Sequence, residues 1–389
     1  MPAENLARFG TIASRALVRD MIAGGDKLAA DAEASRIFLG SGGRPKQEGD
    51  SITQLDLAGV LSNIRVQGAG YLYSGAFAQR LAAAASSAGL SLDASDLHNY
   101  RPSFRETTRV SFGDHEAHFA PTGASGSFAA AMLRDLVTGE NYEEAPETQR
   151  PRLLVESAGR ADRGGRTGWA ADTAESSPSP GSDPQAERLM TNYTGGRIAG
   201  GSEDGAGPRA ASRAGVSGLV AADRWGNAVA CAVTMNGLFG SGRVAAGTGI
   251  FLAASPGSRS ESQHLLAPVV IAAPDGAEVF FAGSPSGGPG SATALVDVLL
   301  RVSVDEMPLE QAIAAGRVHY AAAPETVWHE PGADQRVLAI LEQAGHRLRE
   351  TPELGRVNAL YCPEGLPSEP ESCQVASDPR GSGLAKIAE

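Results

Sequence analysis

Three polar side chains that could take part in chemistry lie within residues 216–251, where short apolar runs alternate with turns. Ser217 precedes the first apolar run, and Thr234 and Asn236 follow the second. A serine or threonine hydroxyl attacks a carbonyl carbon once a base takes its proton. Ser217 also has an ordinary interpretation as a loop serine, and Thr234 as a strand residue. The sequence alone leaves both interpretations open.

Two strands and a hairpin turn are predicted to position these residues. The apolar runs are Leu219–Ala222 and Asn227–Val233, and Asp223-Arg224-Trp225-Gly226 separates them. Gly226 can supply the positive φ that a tight hairpin turn needs. A glycine-rich loop follows over residues 237–249. The two strands are expected to be adjacent antiparallel partners in a central sheet.

A second glycine turn lies in Val279–Gly290, where an apolar strand runs into Gly-Ser-Pro and then the pair Gly287-Gly288. Glycine allows a backbone to approach a reacting group closely. The same residues also suit a simple turn between this strand and a helix predicted over 292–302. A glycine turn alone is a weak signal. Gly287 and Gly288 are candidates for a catalytic site because they follow the motif of residues 216–251 along the chain.

The stretch around the hairpin resembles the γ-glutamyltransferase (glutathione hydrolase) family of N-terminal-nucleophile hydrolases. The matching residues follow one another without a gap: Asp223, Gly226-Asn227-Ala228-Val229, Thr234, Asn236, Phe239-Gly240-Ser241-Gly242 and Gly247-Thr248-Gly249-Ile250. The resemblance implies an α/β fold, a four-layer αββα sandwich. The chain lacks the family's N-terminal block, so the sandwich is expected to be incomplete on one side.

The family's nucleophile is a threonine that self-cleavage exposes, and its position falls on Val216 here. Valine offers no nucleophile, and Ser217 is the nearest hydroxyl residue. Cleavage of the Val216–Ser217 bond would let Ser217 take the role. The alternative is a catalytically inactive relative, or a truncated fragment, that acts as a binding protein.

The resemblance also implies roles for the neighbouring residues. Thr234 would hydrogen-bond the nucleophile, and Asn236 would contact the glutamyl end of the substrate. Gly287 and Gly288 would supply the backbone N–H groups of an oxyanion hole. The expected activity is hydrolysis or transfer of a γ-glutamyl or related acyl group from a small molecule.

The charged contacts of the family's substrate site are not matched in this sequence. No residue replaces the family's arginine for the substrate carboxylate. Ala253–Ser258 occupies the place of the Asn, Gln and Asp run that holds the ammonium group, and His264-Leu265 replaces a pair of serines. Glutathione is therefore expected to be a poor substrate, and a less charged amide or acyl donor a better one.

Three regions are predicted. Residues 1–159 form a large-subunit-like region of helices and strands, 160–215 a flexible linker, and 216–389 a small-subunit-like catalytic region. The two cleavage fragments would form a heterodimer. Two helices are expected within 3–39, broken near Gly24-Gly25. Further helices are expected at 55–65, 75–89, 127–137, 292–302 and 308–316, and strands at 110–119, 268–272 and 279–283.

The composition of this 389-residue chain argues against two classes of binding partner. Its net charge of −12 argues against a nucleic acid or an anionic membrane surface. The N-terminus lacks a signal-peptide pattern, so a cytoplasmic location is expected, or a periplasmic or extracellular one if an upstream signal-bearing segment is missing. No cysteine or histidine spacing suits a metal, and no metal or cofactor is predicted. Cys231 is expected to be buried. The sequence does not decide whether Cys362 and Cys373 form a disulfide.

Overall fold

The computed structural model describes residues 1–121, 123–138, 141–168, 215–254, 266–288, 290–322 and 325–388. Its helices are α1 Pro2–Phe9, α2 Arg15–Ala23, α3 Gly25–Ala29, α4 Ala32–Phe38, α5 Leu55–Gln67, α6 Gly70–Tyr73, α7 Gly75–Ser87, α8 Ala94–Asn99, α9 Gly123–Val137, α10 Arg150–Gly168, α11 Ser291–Ser303, α12 Leu309–Ala314 and α13 Gln335–Gln343. Its strands are β1 Thr11–Ile12, β2 Ser51–Ile52, β3 Thr108–Phe112, β4 His115–Phe119, β5 Val216–Ala222, β6 Ala228–Thr234, β7 Val244–Ala245, β8 Ile250–Phe251, β9 Val269–Ala272, β10 Val279–Ser286, β11 Val318–Ala322, β12 Glu325–His329, β13 Leu348–Glu350, β14 Arg356–Leu366 and β15 Gln374–Ala376.

The chain forms two compact units. The first combines Met1–Arg105 with Thr234–Gly257 and contains α1–α8. The prediction of two helices over residues 3–39 is wrong, because four helices are present there. Ser14 and Asp31 explain the difference: their side chains accept backbone N–H groups of the following turns and start α2 and α4.

The second unit combines Glu106–Val233 with Ser258–Glu389 and is built on one antiparallel six-stranded sheet. The strand order is β15-β14-β10-β9-β4-β3. Side chains alternate between its faces. Phe281 and Val357 lie on the face covered by α9, α10 and α11, whereas Ala282 and Leu360 belong to a separate cluster on the other face. The sheet therefore has a helical side and an opposite side.

Helix α11 lies at the centre of the helical side and is buried around almost its whole circumference. Its large apolar residues join one core with α9, α10 and the sheet. Its buried acidic residue, Asp297, pairs with Arg301 at 2.9 Å, and a helix buried on nearly all faces is stable only when it is enclosed. The helix predicted at 292–302 is confirmed, and the structure shows that it is a central packing element.

Strands β5 and β6 pair with each other, as predicted, but in a separate two-stranded sheet. The expectation that they belong to the central sheet is wrong. Both neighbours of β10 are occupied, by β14 and β9, so the hairpin packs on the open face through Val220 instead. The predicted α/β fold is confirmed, and in the described part of the second unit its layers are helices, six-stranded sheet and hairpin.

Helix α10 extends through Gly168 and so occupies the first residues of the region predicted as a linker from residue 160. Residues 169–214 of the predicted linker lie outside the described residues, and Gly215 directly precedes β5. The predicted boundary between the linker and the catalytic region at residue 216 marks a proposed cleavage point in the backbone. It stays a prediction.

Candidate active site

The Asp223–Gly226 turn explains the hairpin motif in structural terms. The Asp223 carboxylate accepts the backbone N–H groups of Trp225 and Asn227 at 2.9 and 3.1 Å, and the Asn227 side-chain amide at 2.8 Å. These bonds favour the ionised carboxylate, so the pKa of Asp223 is lowered. Gly226 has φ +85°, and a Cβ there would lie 2.9 Å from the Leu366 carbonyl. The motif therefore fixes the turn rather than the chemistry.

Strand β5 presents Ser217 on its exposed face. Ser217 and Leu219 are exposed, while Val216, Gly218 and Val220 are partly buried. Since successive residues of a strand point to opposite faces, the Ser217 side chain points away from the six-stranded sheet, and Val216 points toward it. Leu219, Val229 and Val233 are about half exposed on the hairpin, at 50%, 56% and 54%.

Two side chains of the six-stranded sheet hold the hairpin. Asn358 Nδ2 donates to the Gly218 carbonyl at 2.9 Å, and Ser284 Oγ donates to the Cys231 carbonyl at 2.8 Å. The first bond holds β5 and the second holds β6. Gly218 is pressed against the sheet, since a Cβ there would lie 2.6 Å from Ser284 Oγ and 2.7 Å from its carbonyl oxygen. Only glycine permits this approach.

The Asn358 side chain also contacts a buried network of charged residues. Asn358 Oδ1 accepts the Asp378 backbone N–H at 3.2 Å, and the Asp378 carboxylate pairs with Arg317 at 2.7 Å. Burial raises the pKa of Asp378. The charge and hydrogen bond of Arg317 and the backbone N–H groups of Arg380 and Val357 lower the pKa, and together they outweigh burial. The pKa of Asp378 therefore lies below its ordinary value of 3.8. Arg380 also pairs with Glu330.

Gly287 and Gly288 directly follow β10, and both are buried. Their φ values of +90° and +110° lie in the region that favours glycine. The Gly288 carbonyl accepts the Ser291 N–H at 3.1 Å, which joins the turn to the start of α11. This strand–turn–helix geometry fits both interpretations of the sequence, and the role in an oxyanion hole stays a prediction.

Thr234 and Asn236 lie together in the first unit. Thr234 Oγ accepts the Asn236 backbone N–H at 2.9 Å, and Asn236 Nδ2 donates to the Ala254 carbonyl at 2.9 Å. Asn236 has φ +58°, which asparagine tolerates better than most residues. Both side chains thus shape the loop that follows β6.

The predicted residues are divided between the two compact units. Ser217, Gly287 and Gly288 belong to the second compact unit, while Thr234 and Asn236 belong to the first. The predicted hydrogen bond between Ser217 and Thr234 stays a prediction. The substituted residues 255–258 and His264-Leu265 lie outside the described residues.

Sequence reasoning missed Ser284, Asn358 and Arg317. Each acts through contacts with distant parts of the chain, and an isolated polar residue gives no local signal of such contacts. Asp378 and Arg380 lie in the C-terminal segment Ala376–Arg380. Their structural role follows from the buried pair with Arg317 and the pair with Glu330.

Cys362 and Cys373 form a disulfide, which settles the pairing that the sequence left open. Cys231 is a free thiol, and it is half-buried rather than buried as expected. Within the described ranges, no three histidine, cysteine or acidic side chains converge as they would around a metal ion. None of the described helices combines the length and apolar character needed to span a membrane.

Comparison with known proteins identifies relatives along the whole chain. A family model described as Gamma-glutamyltranspeptidase matches residues 1–388. The glutathione hydrolase proenzyme of Bacillus subtilis subsp. natto is 25% identical over 375 residues, 84% of this chain and 61% of that protein. That of Pseudomonas aeruginosa is 27% identical over 381 residues, 87% of this chain and 65% of that protein. The chain thus spans less than two thirds of the length of these relatives.

An acylase and a solved structure extend the comparison. The acylase ACY 1 proenzyme of Pseudomonas sp. strain V22 is 27% identical over 400 residues, 94% of this chain and 67% of that protein. The crystal structure of cephalosporin acylase from Bacillus halodurans superimposes with a TM-score of 0.78 at 19% identity, over 100% of this chain and 73% of that one. At this identity the superposition establishes the fold alone.

Proposed function

Because the chain belongs to the γ-glutamyltranspeptidase family, we propose that it hydrolyses or transfers an acyl group from a small amide substrate. Ser217, freed by self-cleavage of the Val216–Ser217 bond, is the nucleophile. The observation that supports this choice is its position: Ser217 is exposed near the start of β5, and the next residue is pinned to the six-stranded sheet.

The chemistry needs only groups that the chain supplies. A new α-amino group has a pKa of about 7.7–8.0, so part of it is unprotonated near neutral pH. This amine takes the proton of Ser217 Oγ as the oxygen attacks the substrate carbonyl carbon. The resulting ammonium gives that proton to the departing amine, and an ester of Ser217 remains. Water, or an acceptor amine, then attacks the ester and restores the serine.

The tetrahedral intermediates carry a negative oxygen that needs donors. The backbone N–H groups of Gly287 and Gly288 are assigned this role, and each such donor contributes about 3 kcal/mol to stabilisation of the transition state. The turn follows β10, the strand against which Gly218 packs. This proximity of β5 to β10 supports the assignment.

Cleavage would also change the orientation of Ser217. In the intact chain its side chain points away from the six-stranded sheet, because the preceding peptide holds the residue in the strand. After cleavage no peptide precedes Ser217. Rotation about its Cα–C bond can then carry the side chain to the other face of the strand, and the amine moves with it. The hydroxyl can turn toward the sheet without moving Gly218.

The proposed substrate is an amide or acyl donor with little charge. An α-amino acid end would need an anionic partner for its ammonium group, and residues 253–258 contain no carboxylate. The relative named acylase ACY 1 proenzyme, which aligns with 94% of this chain, supports an acyl substrate. The two cleavage fragments are proposed to remain together as a heterodimer. The Cys362–Cys373 disulfide favours an oxidising compartment.

An inactive binding protein is the second candidate. Two observations favour it: Val216 occupies the position expected for the nucleophile, and Ser217 points away from the sheet in the intact chain. In this case the chain would remain uncleaved and would turn over no amide.

Hydrolysis of an uncharged acyl anilide separates the two candidates. The purified wild-type chain should release the aniline, and Ser217→Ala should abolish the release. Ser111→Ala is the matched control, because Ser111 is an exposed strand serine on β3. Release that survives Ser217→Ala, or no release by the wild type, would rule out the proposed mechanism.

A further inference from the structure

Asn358 is the side chain that connects the strand of Ser217 to the six-stranded sheet. Its Nδ2 donates to the carbonyl oxygen of Gly218 at 2.9 Å. Gly218 directly follows Ser217, so this bond fixes the Gly218–Leu219 peptide group, the second one along from the residue that would become a new N-terminus. The other hairpin strand is held separately, by the bond from Ser284 to Cys231.

The amide of Asn358 is itself held at both ends. Oδ1 accepts the backbone N–H of Asp378 at 3.2 Å. Asp378 is in turn fixed by Arg317 and by the N–H of Val357, the neighbour of Asn358 on β14, at 2.9 Å. Reversal of the amide would lose both bonds, because it would set donor against donor and acceptor against acceptor. The direction of the Gly218 bond is therefore specified.

Cleavage makes this bond more important. The end of a chain frays unless it is tied down, and a cut after Val216 would leave Ser217 at such an end. The Gly218 carbonyl would then be held one residue from the terminus. Gly218 packing against Ser284 fixes the distance between strand and sheet, and the Asn358 bond adds a directional restraint along the strand.

We propose that Asn358 is a positioning residue that holds Ser217 at its reacting place by binding the Gly218 carbonyl. The inference rests on the proposed role of Ser217 as nucleophile. Misplacement of a nucleophile by about 1 Å can lower a rate by about 100-fold. Loss of the Asn358 donor should therefore lower kcat while leaving KM nearly unchanged, since substrate-binding groups stay in place.

The test compares two variants with a matched control. Asn358→Asp keeps the side-chain size and an acceptor for Asp378 but removes the donor to Gly218, and Asn358→Ala removes both. Ser284→Ala removes the equivalent bond to β6 and keeps the carbonyl oxygen and Cβ of residue 284, against which Gly218 packs. On the uncharged acyl anilide we expect both Asn358 variants to lose about 10- to 100-fold in kcat with KM within about twofold, and Ser284→Ala to lose less than about fivefold. Equal losses in the Ser284 and Asn358 variants, or a loss confined to KM, would overturn the positioning role.

Failure of the underlying function is distinguishable. If the wild type stays intact and inactive, or if Ser217→Ala keeps full turnover, the nucleophile is wrong and the positioning role falls with it. If both Asn358 variants fail to fold by circular dichroism, hydrogen exchange of the cleaved wild type decides. Slow exchange of the amides of residues 219–221 is expected, and exchange at the rate of a frayed terminus would overturn the inference.

Discussion

Ser284 and Asn358 stand directly opposite each other in the register of β10 and β14, and each binds a different strand of the hairpin. Ser284 binds β6 through Cys231, and Asn358 binds β5 through Gly218. Cross-strand partners share one face of a sheet, so a single polar pair holds both strands over the sheet. The hairpin thus stacks on the six-stranded sheet through these two hydrogen bonds, the close contact of Gly218 and the apolar packing of Val220.

Gly218→Ala should destabilise the chain by about 1–3 kcal/mol, because the added methyl group would overlap Ser284. The hairpin would have to lift from the sheet to make room. Gly59→Ala is the matched control, since Gly59 lies within helix α5 with open space around it. That change should be neutral or stabilising by up to about 1 kcal/mol. Chemical denaturation measures both, and equal stability of the two variants would contradict the close packing.

Stability should fall at acid pH as Asp378 becomes protonated. Its pKa is lowered in the folded chain, so its contribution is present above the ordinary value of 3.8 and is lost as pH falls through the lower folded value. Asp378→Asn should remove this part of the pH dependence. It should also cost about 3–5 kcal/mol near neutral pH, because Arg317 is left buried without its anion.

Urea unfolding of the wild type and Asp378→Asn across pH 2–7 tests this prediction. Asp275→Asn serves as the control, because Asp275 is an exposed turn residue. A wild-type profile as flat as that of Asp378→Asn would contradict the assigned role of the Arg317–Asp378 pair.

Local patterns predicted much of this fold correctly. The hairpin, β10 and the helix α11 were all expected near their observed positions, because apolar periodicity and turn residues are local signals. The α1–α4 region was predicted less well, since the side-chain caps Ser14 and Asp31 divide what reads as two helices into shorter ones.

Long-range packing could not be predicted in the same way. The stacking of the hairpin depends on contacts between Gly218 and Ser284, which are 66 residues apart in sequence. Arg317 reads as an ordinary charged residue, yet its side chain is almost fully buried against Asp378. The outward orientation of Ser217 follows from the registration of β5 on the sheet, and the sequence contains no independent mark of that registration.

Reduction of the Cys362–Cys373 disulfide should lower stability by about 3 kcal/mol. The sequence separation is 11 residues, and closing a loop of this size restricts the unfolded chain by about that amount. The melting temperature should drop in dithiothreitol for the wild type. It should drop equally for the Cys231→Ser variant, because the Cys231 thiol takes no part in the disulfide. A double variant, Cys362→Ala with Cys373→Ala, should show no further drop. An equal response of that double variant would contradict the disulfide as the cause.

Substrate preference should favour uncharged acyl groups. A γ-glutamyl anilide presents a zwitterion, and each unpaired charge in a desolvated site costs several kcal/mol. We expect its kcat/KM to be lower than that of an uncharged acyl anilide by about 100-fold or more, since about 1.4 kcal/mol corresponds to a factor of ten. Steady-state kinetics on the two anilides measure the ratio. Efficient glutathione turnover that Ser217→Ala abolishes would contradict the preference while keeping the nucleophile.

Self-cleavage of the purified chain tests the central claim most directly. Intact-mass measurement should show two fragments of 216 and 173 residues, and the second should begin with Ser217-Gly218-Leu219. Ser217→Ala should remain a single chain of 389 residues, while Ser111→Ala should cleave like the wild type. A folded wild-type chain that stays intact, or a Ser217→Ala chain that yields the same two fragments, would contradict the account.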